Sequence, residues 1–332
     1  MELTEKQHQD FIWTWPSTHR KGKASLWLPY FQGVTKLGRG KPFQYKFSYN
    51  GGEFQADLRK IDFIMFYGAS GDISLEFLDD LSKLDILFTI HRRQMTAPFI
   101  FHSSKTSNSG KHDVLTKQIL ARENEIRSSY VAKTLVRERI KSMKDYIEIS
   151  EAKYKRLKSL RSVDLIRSTE AEASNAFWRT YYSRMDLYEL SRRDREHPVN
   201  QALNAGSMFL AGIMLRWILF HKLSPSHGFL HVRTSFDSLV YDLIEPYRYL
   251  IEESVQKAYQ EVGLEDNKLL TAKSLNNLKI GLKRPIYCPQ TKQEVREKAL
   301  LHGIVLSLRS YLIGDSKRFV IPTKGVRKVA DR

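Results

Sequence analysis

The stretch "IDFIMFYGASGDISLEFLDDLSKLDILFTI", residues 61–90, decides the fold of the first part of the chain. Its two short apolar segments, "IDFIMFYG" and "LDILFTI", are interpreted as strands. The segment between them, "ASGDISLEFLDDLSK", predicts a short helix. Upstream, residues 43–58 ("FQYKFSYNGGEFQADL") alternate apolar and polar side chains around Asn50-Gly51-Gly52, which predicts a β-hairpin. The first hundred residues are therefore expected to form a β-rich domain.

The character of the sequence changes after this region. Residues 102–113, "HSSKTSNSGKHD", are small and polar, which is typical of an exposed linker or a long hairpin tip. From Val114 onward, apolar residues recur three to five positions apart, the spacing of helices. We predict an α+β fold in which a small β-rich domain for dimerisation (residues 1–101) and the linker precede a larger all-α catalytic domain with a basic tail (residues 114–332).

Charge and composition narrow the class of function. The chain has 54 Lys and Arg against 37 Asp and Glu, a net charge of +17, and such an excess favours a polyanionic partner, nucleic acid before an anionic membrane. The longest apolar run, residues 208–220, contains Arg216 and is shorter than the roughly 20 residues of a membrane span, so we expect a core helix. The polar N-terminus lacks the pattern of a secretory signal. Cys288 is the only cysteine, which excludes an intrachain disulfide and favours a cytoplasmic location.

One predicted helix places a carboxylate among core residues. The stretch "STEAEASNAFWRTYY", residues 168–182, combines small residues with four aromatic ones and includes Glu170 and Glu172. Burying an ionised carboxylate is unfavourable unless a cation or hydrogen bonds compensate it. We interpret Glu170 as a candidate metal ligand and Glu172 as a second-shell or surface residue.

A second segment supplies a histidine and two further carboxylates. In "HGFLHVRTSFDSLVYDLIEPYRYLIEES", residues 227–254, His231 follows a turn, and Asp242 and Glu245 are three residues apart on the next predicted helix. Residues at this spacing project from nearly the same side of a helix. Carboxylates with an imidazole suit Mg²⁺ or Mn²⁺, and a basic protein with such a site is a candidate for phosphodiester chemistry.

The residues by themselves also allow a structural interpretation. A single histidine near a turn is more often structural than ligating, and Glu170 could pair with a neighbouring arginine. The segment "KLGRGKPF" is not a phosphate-binding loop, and no zinc-finger, HExxH or nucleophile-elbow motif occurs. Any chemistry must therefore come from carboxylates and histidine.

The order of four motifs resembles the Cas1 family of CRISPR-associated adaptation integrases. These motifs are "TEAEASNAFW", "HPVNQALNAGSMFL", "GFLH" and "SLVYDLIEPYR", and weaker similarity extends over most of the chain. The resemblance implies that Glu170, His231 and the pair Asp242 and Glu245 are the catalytic metal ligands, without deciding which carboxylate of the pair is primary. Arg248 matches the arginine of the last motif.

The resemblance also implies a function. Family members insert short double-stranded DNA into CRISPR arrays, by attack of a 3′-hydroxyl on a phosphodiester, as dimers assembled around the small Cas2 protein. The implied partners are therefore protospacer and leader-repeat DNA, a second copy of the chain and Cas2, with Mg²⁺ or Mn²⁺ as cofactor and no membrane. The candidate DNA contacts are Arg248, Asn200, Arg92 and Arg93.

Two alternatives remain open at the level of sequence. A transposon-borne integrase related to this family would perform the same chemistry on different DNA ends. The second alternative is a DNA-binding scaffold that has lost catalysis, because Ala205 and Ser207 stand where the family usually has tyrosines. Retention of all the candidate ligands argues against the scaffold.

Overall fold

The computed structural model describes most of the chain as two compact units, residues 1–110 and 111–332. The division falls inside the predicted linker, of which residues 102–112 lie outside the described residues. The residues that the structure describes are 13–16, 24–38, 40–91, 99–101, 113–148, 151–264 and 266–326.

The described residues of the first unit form two sheets, one α-helix and a 3₁₀ turn at Leu58–Lys60. Its strands are β1 (Trp13–Pro16), β2 (Ala24–Pro29), β3 (Phe31–Lys36), β4 (Gln44–Tyr49), β5 (Gly52–Asp57), β6 (Ile61–Tyr67), β7 (Leu87–His91) and β8 (Phe99–Phe101), and its helix is α1 (Leu75–Lys83). One sheet has the order β1-β2-β6-β7-β8, and the other is the antiparallel sheet β3-β4-β5. The predicted hairpin is confirmed, because β4 and β5 are joined by Asn50 and Gly51 and pair Tyr49 with Gly52.

Residues 61–90 have the predicted strand-helix-strand arrangement. β6 and β7 pair in parallel, and parallel neighbours need a crossover connection, which here contains α1. Phe77 of α1 contacts aromatic rings of both sheets, Phe88 on one and Phe47 on the other. At its polar edge, Asp80 accepts a hydrogen bond of 2.7 Å from the Tyr45 hydroxyl. The apolar face of the helix thus becomes part of the core of this unit.

The second unit is mainly helical, as predicted. Its helices are α2 (Val114–Glu123), α3 (Glu125–Ser142), α4 (Glu151–Ser159), α5 (Val163–Ser183), α6 (Pro198–Phe220), α7 (Ser238–Ile244), α8 (Tyr249–Val262), α9 (Asn267–Lys283) and α10 (Lys298–Ile313). A 3₁₀ turn, Glu245–Tyr247, connects α7 to α8. The sequence did not reveal the antiparallel hairpin of β9 (Pro285–Cys288) and β10 (Gln293–Arg296) between the last two helices.

Helix α6 lies in the core of this unit. Among the described residues it is the one helix long and apolar enough to cross a membrane by length and composition, and 72% of its most apolar 18-residue window is buried within the unit. Arg216 is 6% exposed and its guanidinium lies 4.2 Å from the centroid of the Trp217 ring. A Cβ on Gly206 would come within 2.6 Å of Ile251, so glycine permits α8 to pack closely. These contacts are those of a core helix.

Candidate active site

Helix α5 carries Glu170 at the edge of the core. Phe177, Tyr181 and Tyr182 on the same helix are buried, and their rings pack against one another and hold the helix in place. Glu170 itself is half-buried, and Ser174, one turn further on, donates a hydrogen bond to its Oε1. Glu172 is exposed, so the two glutamates differ in environment as the sequence predicts.

The charges around Glu170 show which residues share its surroundings. Burial raises the pKa of the Glu170 carboxyl, and the negative charge of Glu245 adds to that rise. The Ser174 hydrogen bond and the positive charges of Arg139 and Arg248 oppose it. A carboxylate from α5 and one from the turn after α7 are thus electrostatically coupled.

His231 is oriented by Asp242. The His231 Nδ1 atom lies 2.7 Å from Asp242 Oδ1. Because an ionised carboxylate only accepts hydrogen bonds, Nδ1 carries the proton and Nε2 keeps its lone pair when the ring is neutral. Burial opposes charge on this imidazole, but the hydrogen bond and charge of Asp242 and the charges of Glu245 and Glu170 outweigh it and raise the pKa of His231.

Asp242 is already occupied by four hydrogen-bond donors. Its Oδ2 accepts from the backbone N–H groups of Phe229 at 2.5 Å and Leu230 at 2.8 Å, and its Oδ1 accepts from the His231 N–H at 3.0 Å and from the His231 ring. A carboxylate offers about four lone-pair positions, so these contacts favour Asp242 as the residue that holds His231 and Glu245 as the primary ligand of the pair. The ligand role of either carboxylate stays a prediction.

The loop before His231 is fixed by further polar contacts. Ser238 donates to the carbonyl of Ser226 at 2.9 Å and accepts from the N–H of Gly228 at 2.9 Å. The buried Gln118 of α2 donates to the carbonyls of Ser224 and His227, at 3.0 and 2.8 Å. The histidine is thus presented by a rigid loop although the loop contains no regular secondary structure.

Glu245 is buried between two arginines. Its side chain is 7% exposed, with Oε1 at 3.1 Å from Arg248 Nε and Oε2 at 3.6 Å from Arg139 Nε. Neither Nε–H group has a hydrogen-bond partner within the described ranges. The contacts given for Glu245 are thus ion pairs with two arginines, whereas Asp242 accepts four hydrogen bonds.

The buried pair of Arg139 and Glu252 lies behind these carboxylates, and sequence reasoning missed it. Arg139 on α3 is 1% exposed and binds Glu252 on α8 through both terminal nitrogens, at 3.0 and 2.6 Å. Its guanidinium also lies 5.1 Å from the ring centroid of Phe177 on α5. Arg139 follows the apolar residues Leu135 and Val136 by four and three positions, so it lies on an apolar helical face. That was the available signal, because a buried cation requires a partner.

The side chains of the candidate site are of the types that bind divalent cations. Glu170, Glu245 and the Nε2 atom of His231 offer two carboxylates and one imidazole, which suit Mg²⁺ or Mn²⁺. Asp242 supplies the outer hydrogen bond that metal-binding histidines typically make. As the side chains stand, no three His, Cys, Asp or Glu residues in the described part of the chain are arranged to hold a metal ion. Metal binding therefore stays a prediction.

The predicted DNA contacts have different outcomes. Asn200 is fully buried, and its amide is used internally: it donates to the carbonyls of Ser191 and Asp194 and accepts from the Tyr182 hydroxyl at 2.6 Å. The prediction that Asn200 contacts DNA is therefore wrong, because its polar atoms organise the start of α6. Arg248 has a side chain that is 27% exposed and paired with Glu245, so its contact with DNA stays a prediction. The remaining two candidates, Arg92 and Arg93, lie outside the described residues.

Solved structures share this fold. A casposase bound to an integration product superposes with a TM-score of 0.73 at 20% identity, covering 89% of this chain and 92% of that one. A chain of a Cas6-RT-Cas1–Cas2 complex superposes with a TM-score of 0.70 at 12% identity, covering 94% of this chain and 37% of that one. The class is thus that of a β-rich unit followed by a helical unit, the fold of casposases and Cas1 proteins.

The family follows from the sequence match. The family described as CRISPR associated protein Cas1 matches residues 43–274, well over half of the chain, and the chain belongs to this family. A relative from Pyrobaculum aerophilum, CRISPR-associated endonuclease Cas1 2, is 35% identical over 112 residues, which are 33% of this chain and 37% of that protein. Alignments to the curated relatives span 29% to 45% of their lengths.

Proposed function

We propose that this chain is a divalent-metal-dependent DNA integrase and endonuclease that inserts short double-stranded DNA into a CRISPR array. The observation that carries the proposal is the grouping of Glu170, Glu245 and the Asp242-oriented His231 within electrostatic reach of one another. Membership of the Cas1 family, relatives named CRISPR-associated endonucleases and a net charge of +17 support it.

The proposed reaction is a transesterification in which a DNA 3′-hydroxyl attacks a phosphodiester and another 3′-hydroxyl leaves. Glu170, Glu245 and His231 Nε2 would hold Mg²⁺ or Mn²⁺, and the bound ion would neutralise charge on the phosphate and favour deprotonation of the hydroxyl. Asp242 keeps the His231 lone pair available at Nε2. Arg139, anchored by its contact with Glu252, fixes the position of Glu245 from behind.

Substrate and partners are part of the same proposal. Lys and Arg contacts to phosphates would bind protospacer and leader-repeat DNA without much base information, so the shape of the DNA or a partner would choose the insertion site. A homodimer and the small Cas2 protein are the proposed partners, and the Cas6-RT-Cas1–Cas2 complex is a relative that is assembled with Cas2. Such a reaction would take place in the cytoplasm.

A second candidate function is integration of a mobile element. The observation that favours it is the TM-score of 0.73 to a casposase bound to an integration product, with 92% of that chain covered. The chemistry would be the same, but the incoming ends would be terminal inverted repeats and the target would not be a CRISPR leader. Presenting both kinds of DNA ends and both targets to the protein, with and without Cas2, separates the two functions.

The test of the proposal is joining of a short duplex with free 3′-hydroxyls into supercoiled DNA in the presence of Mn²⁺ or Mg²⁺. Glu170→Gln removes a proposed ligand, and Glu172→Gln is its matched control on the exposed part of the same helix. We expect Glu170→Gln to abolish both joining and the rise in melting temperature with Mn²⁺, while Glu172→Gln keeps both. Tight DNA binding without joining under any metal or partner would instead indicate a scaffold.

A further inference from the structure

Arg192 lies in the segment between α5 and α6 and is held there by both helices. Its Nη2 donates a hydrogen bond of 2.6 Å to Asn204 Oδ1 of α6. Its guanidinium lies 5.5 Å from the centroid of the Trp178 ring of α5. The side chain is half-buried, so the cation has a defined position but is still accessible from one side.

Arg192 is held by contacts with uncharged groups. Within the described residues, these are the hydrogen bond to Asn204 and the cation–π contact with Trp178, and no carboxylate there forms an ion pair with Arg192 within 4.0 Å. Burial lowers the pKa of Arg192; the charge of Tyr182 opposes this, the positive charge of Arg248 adds to it, and Glu252 opposes it. An anion beside Arg192 would offset both the burial of its charge and the repulsion from Arg248.

The location links this cation to the candidate active site. Arg248, which repels Arg192, is paired with Glu245 at 3.1 Å. Trp178 follows Glu170 by eight residues on α5, a rise of about 12 Å along the helix axis. One DNA strand covers that distance in about three to four nucleotides, at about 3.4 Å each. A strand that runs along α5 from the carboxylates would therefore reach Trp178 and Arg192 within a few nucleotides.

We propose that Arg192, positioned by Trp178 and Asn204, binds a phosphodiester of the DNA strand a few nucleotides from the reacting phosphate. A guanidinium group can donate two parallel hydrogen bonds to one phosphate, and stacking on an indole leaves that edge free. This inference rests on the proposed function, because it takes DNA to be the substrate. Arg192 lies outside the four sequence motifs that indicate the family.

The experiment locates the phosphate by removing charge from the DNA and, separately, from the protein. Duplexes that carry a single neutral methylphosphonate at successive positions near the reacting end are bound to wild type, Arg192→Gln and Arg193→Gln. Arg193 is the matched control, because it is the adjacent arginine and is exposed. Arg192→Lys is included because lysine keeps the positive charge but cannot donate two parallel hydrogen bonds. Melting temperatures of all variants are compared.

In the wild type, we expect methylphosphonate at one or two positions to weaken binding about tenfold. Arg192→Gln should weaken binding of unmodified DNA by a similar factor. The slope of log affinity against log salt concentration should fall by about the contribution of one phosphate contact. Methylphosphonates at those positions should no longer weaken binding to this variant. Arg193→Gln should keep the wild-type pattern. Arg192→Lys should keep part of the affinity.

The inference is overturned if methylphosphonates weaken binding to the wild type and weaken binding to Arg192→Gln by the same factor at every position. Insensitivity of the wild type to every phosphate, together with absence of joining, would instead remove the proposed function. If Arg192→Gln melts early, Asn204→Ala gives the second test, since releasing the guanidinium should blunt the same phosphate positions without removing the charge.

Discussion

Asp242 Oδ1 lies 2.7 Å from the ring nitrogen Nδ1 of His231 and 3.0 Å from the backbone nitrogen of the same residue. One oxygen therefore fixes both the ring and the main chain of the histidine. The other oxygen binds the N–H groups of the two preceding residues. The histidine owes its orientation to a carboxylate that the motif alone would assign to the metal.

Replacing this carboxylate by an amide tests that assignment. Asp242→Asn should destabilise the protein by about 2–3 kcal/mol, because an amide nitrogen then faces backbone donors that had an ionised acceptor. We expect joining to fall as well, with Mn²⁺ binding weakened rather than abolished. Denaturant unfolding and Mn²⁺ titration measure the two effects. Unchanged stability would contradict the role of Asp242 as an acceptor of four hydrogen bonds.

Gly228 provides an independent test of the same loop. A Cβ at this position would lie 2.7 Å from Asp242 Oδ2 and 2.8 Å from the carbonyl of His231. Gly228→Ala should therefore destabilise the protein by about 2–3 kcal/mol and reduce joining. The matched control is Gly281→Ala on α9, where a Cβ meets nothing within 4 Å and alanine should stabilise the helix by up to about 1 kcal/mol. Equal stabilities of the two variants would argue against this account.

The buried pair of Arg139 and Glu252 should be far more sensitive to removal of one partner than to removal of both. Glu252→Gln leaves the fully buried guanidinium without its hydrogen-bonded carboxylate and should cost about 3–5 kcal/mol. The double variant Arg139→Met with Glu252→Gln should recover part of that loss, because the buried guanidinium is gone while Glu245 keeps its ion pair with Arg248. Urea unfolding of the three proteins checks this. A double variant less stable than Glu252→Gln would show that the pair stabilises the fold outright.

Protons should compete with the metal at the proposed site. The pKa values of Glu170 and His231 are both raised, so each group binds a proton at a higher pH than usual, and a cation must displace that proton wherever it is bound. Mn²⁺ affinity is therefore expected to fall as pH is lowered through these pKa values, by up to about tenfold per pH unit for each proton displaced. Calorimetry in buffers of different ionisation enthalpy measures the protons released. A Mn²⁺ affinity that does not change with pH across the titration of these two groups would contradict a site built on them.

The first unit should lose stability in mild acid because of His91. This histidine is 4% exposed, its Nε2 has no hydrogen-bond partner within the described residues, and burial lowers its pKa to about 4. Between pH 6.5 and 4 the unfolded chain binds a proton that the folded chain does not, so stability falls as pH falls and levels off below about 4. The contribution is about 3 kcal/mol. Hydrogen exchange of β6 and β7 should show it, and His91→Phe should remove this part of the pH dependence.

The fold was largely predictable because its elements are specified by local patterns. Strand alternation around Asn50, the two apolar segments that flank α1 and the apolar spacing after Val114 each depend on neighbouring residues alone, and the structure contains the corresponding elements. The hairpin of β9 and β10 was missed, since two strands of four residues leave too short a pattern. Motif resemblance selected Glu170, His231, Asp242 and Glu245 as candidate ligands without any knowledge of distances, and their ligand roles stay predictions.

Tertiary structure decided the roles of these residues. Spacing makes Asp242 and Glu245 equivalent, but folding surrounds Asp242 with four N–H donors and leaves Glu245 between two arginines. Folding also buries Asn200 with its amide bonded internally, whereas Arg192 stays partly accessible. Asn200 is therefore excluded as a DNA contact and Arg192 becomes a candidate. Sequence by itself determined which groups can carry charge and where helices and strands form. Which charges are paired, oriented or uncompensated depends on contacts between residues far apart in the chain, such as Arg139 and Glu252, and only packing creates those contacts.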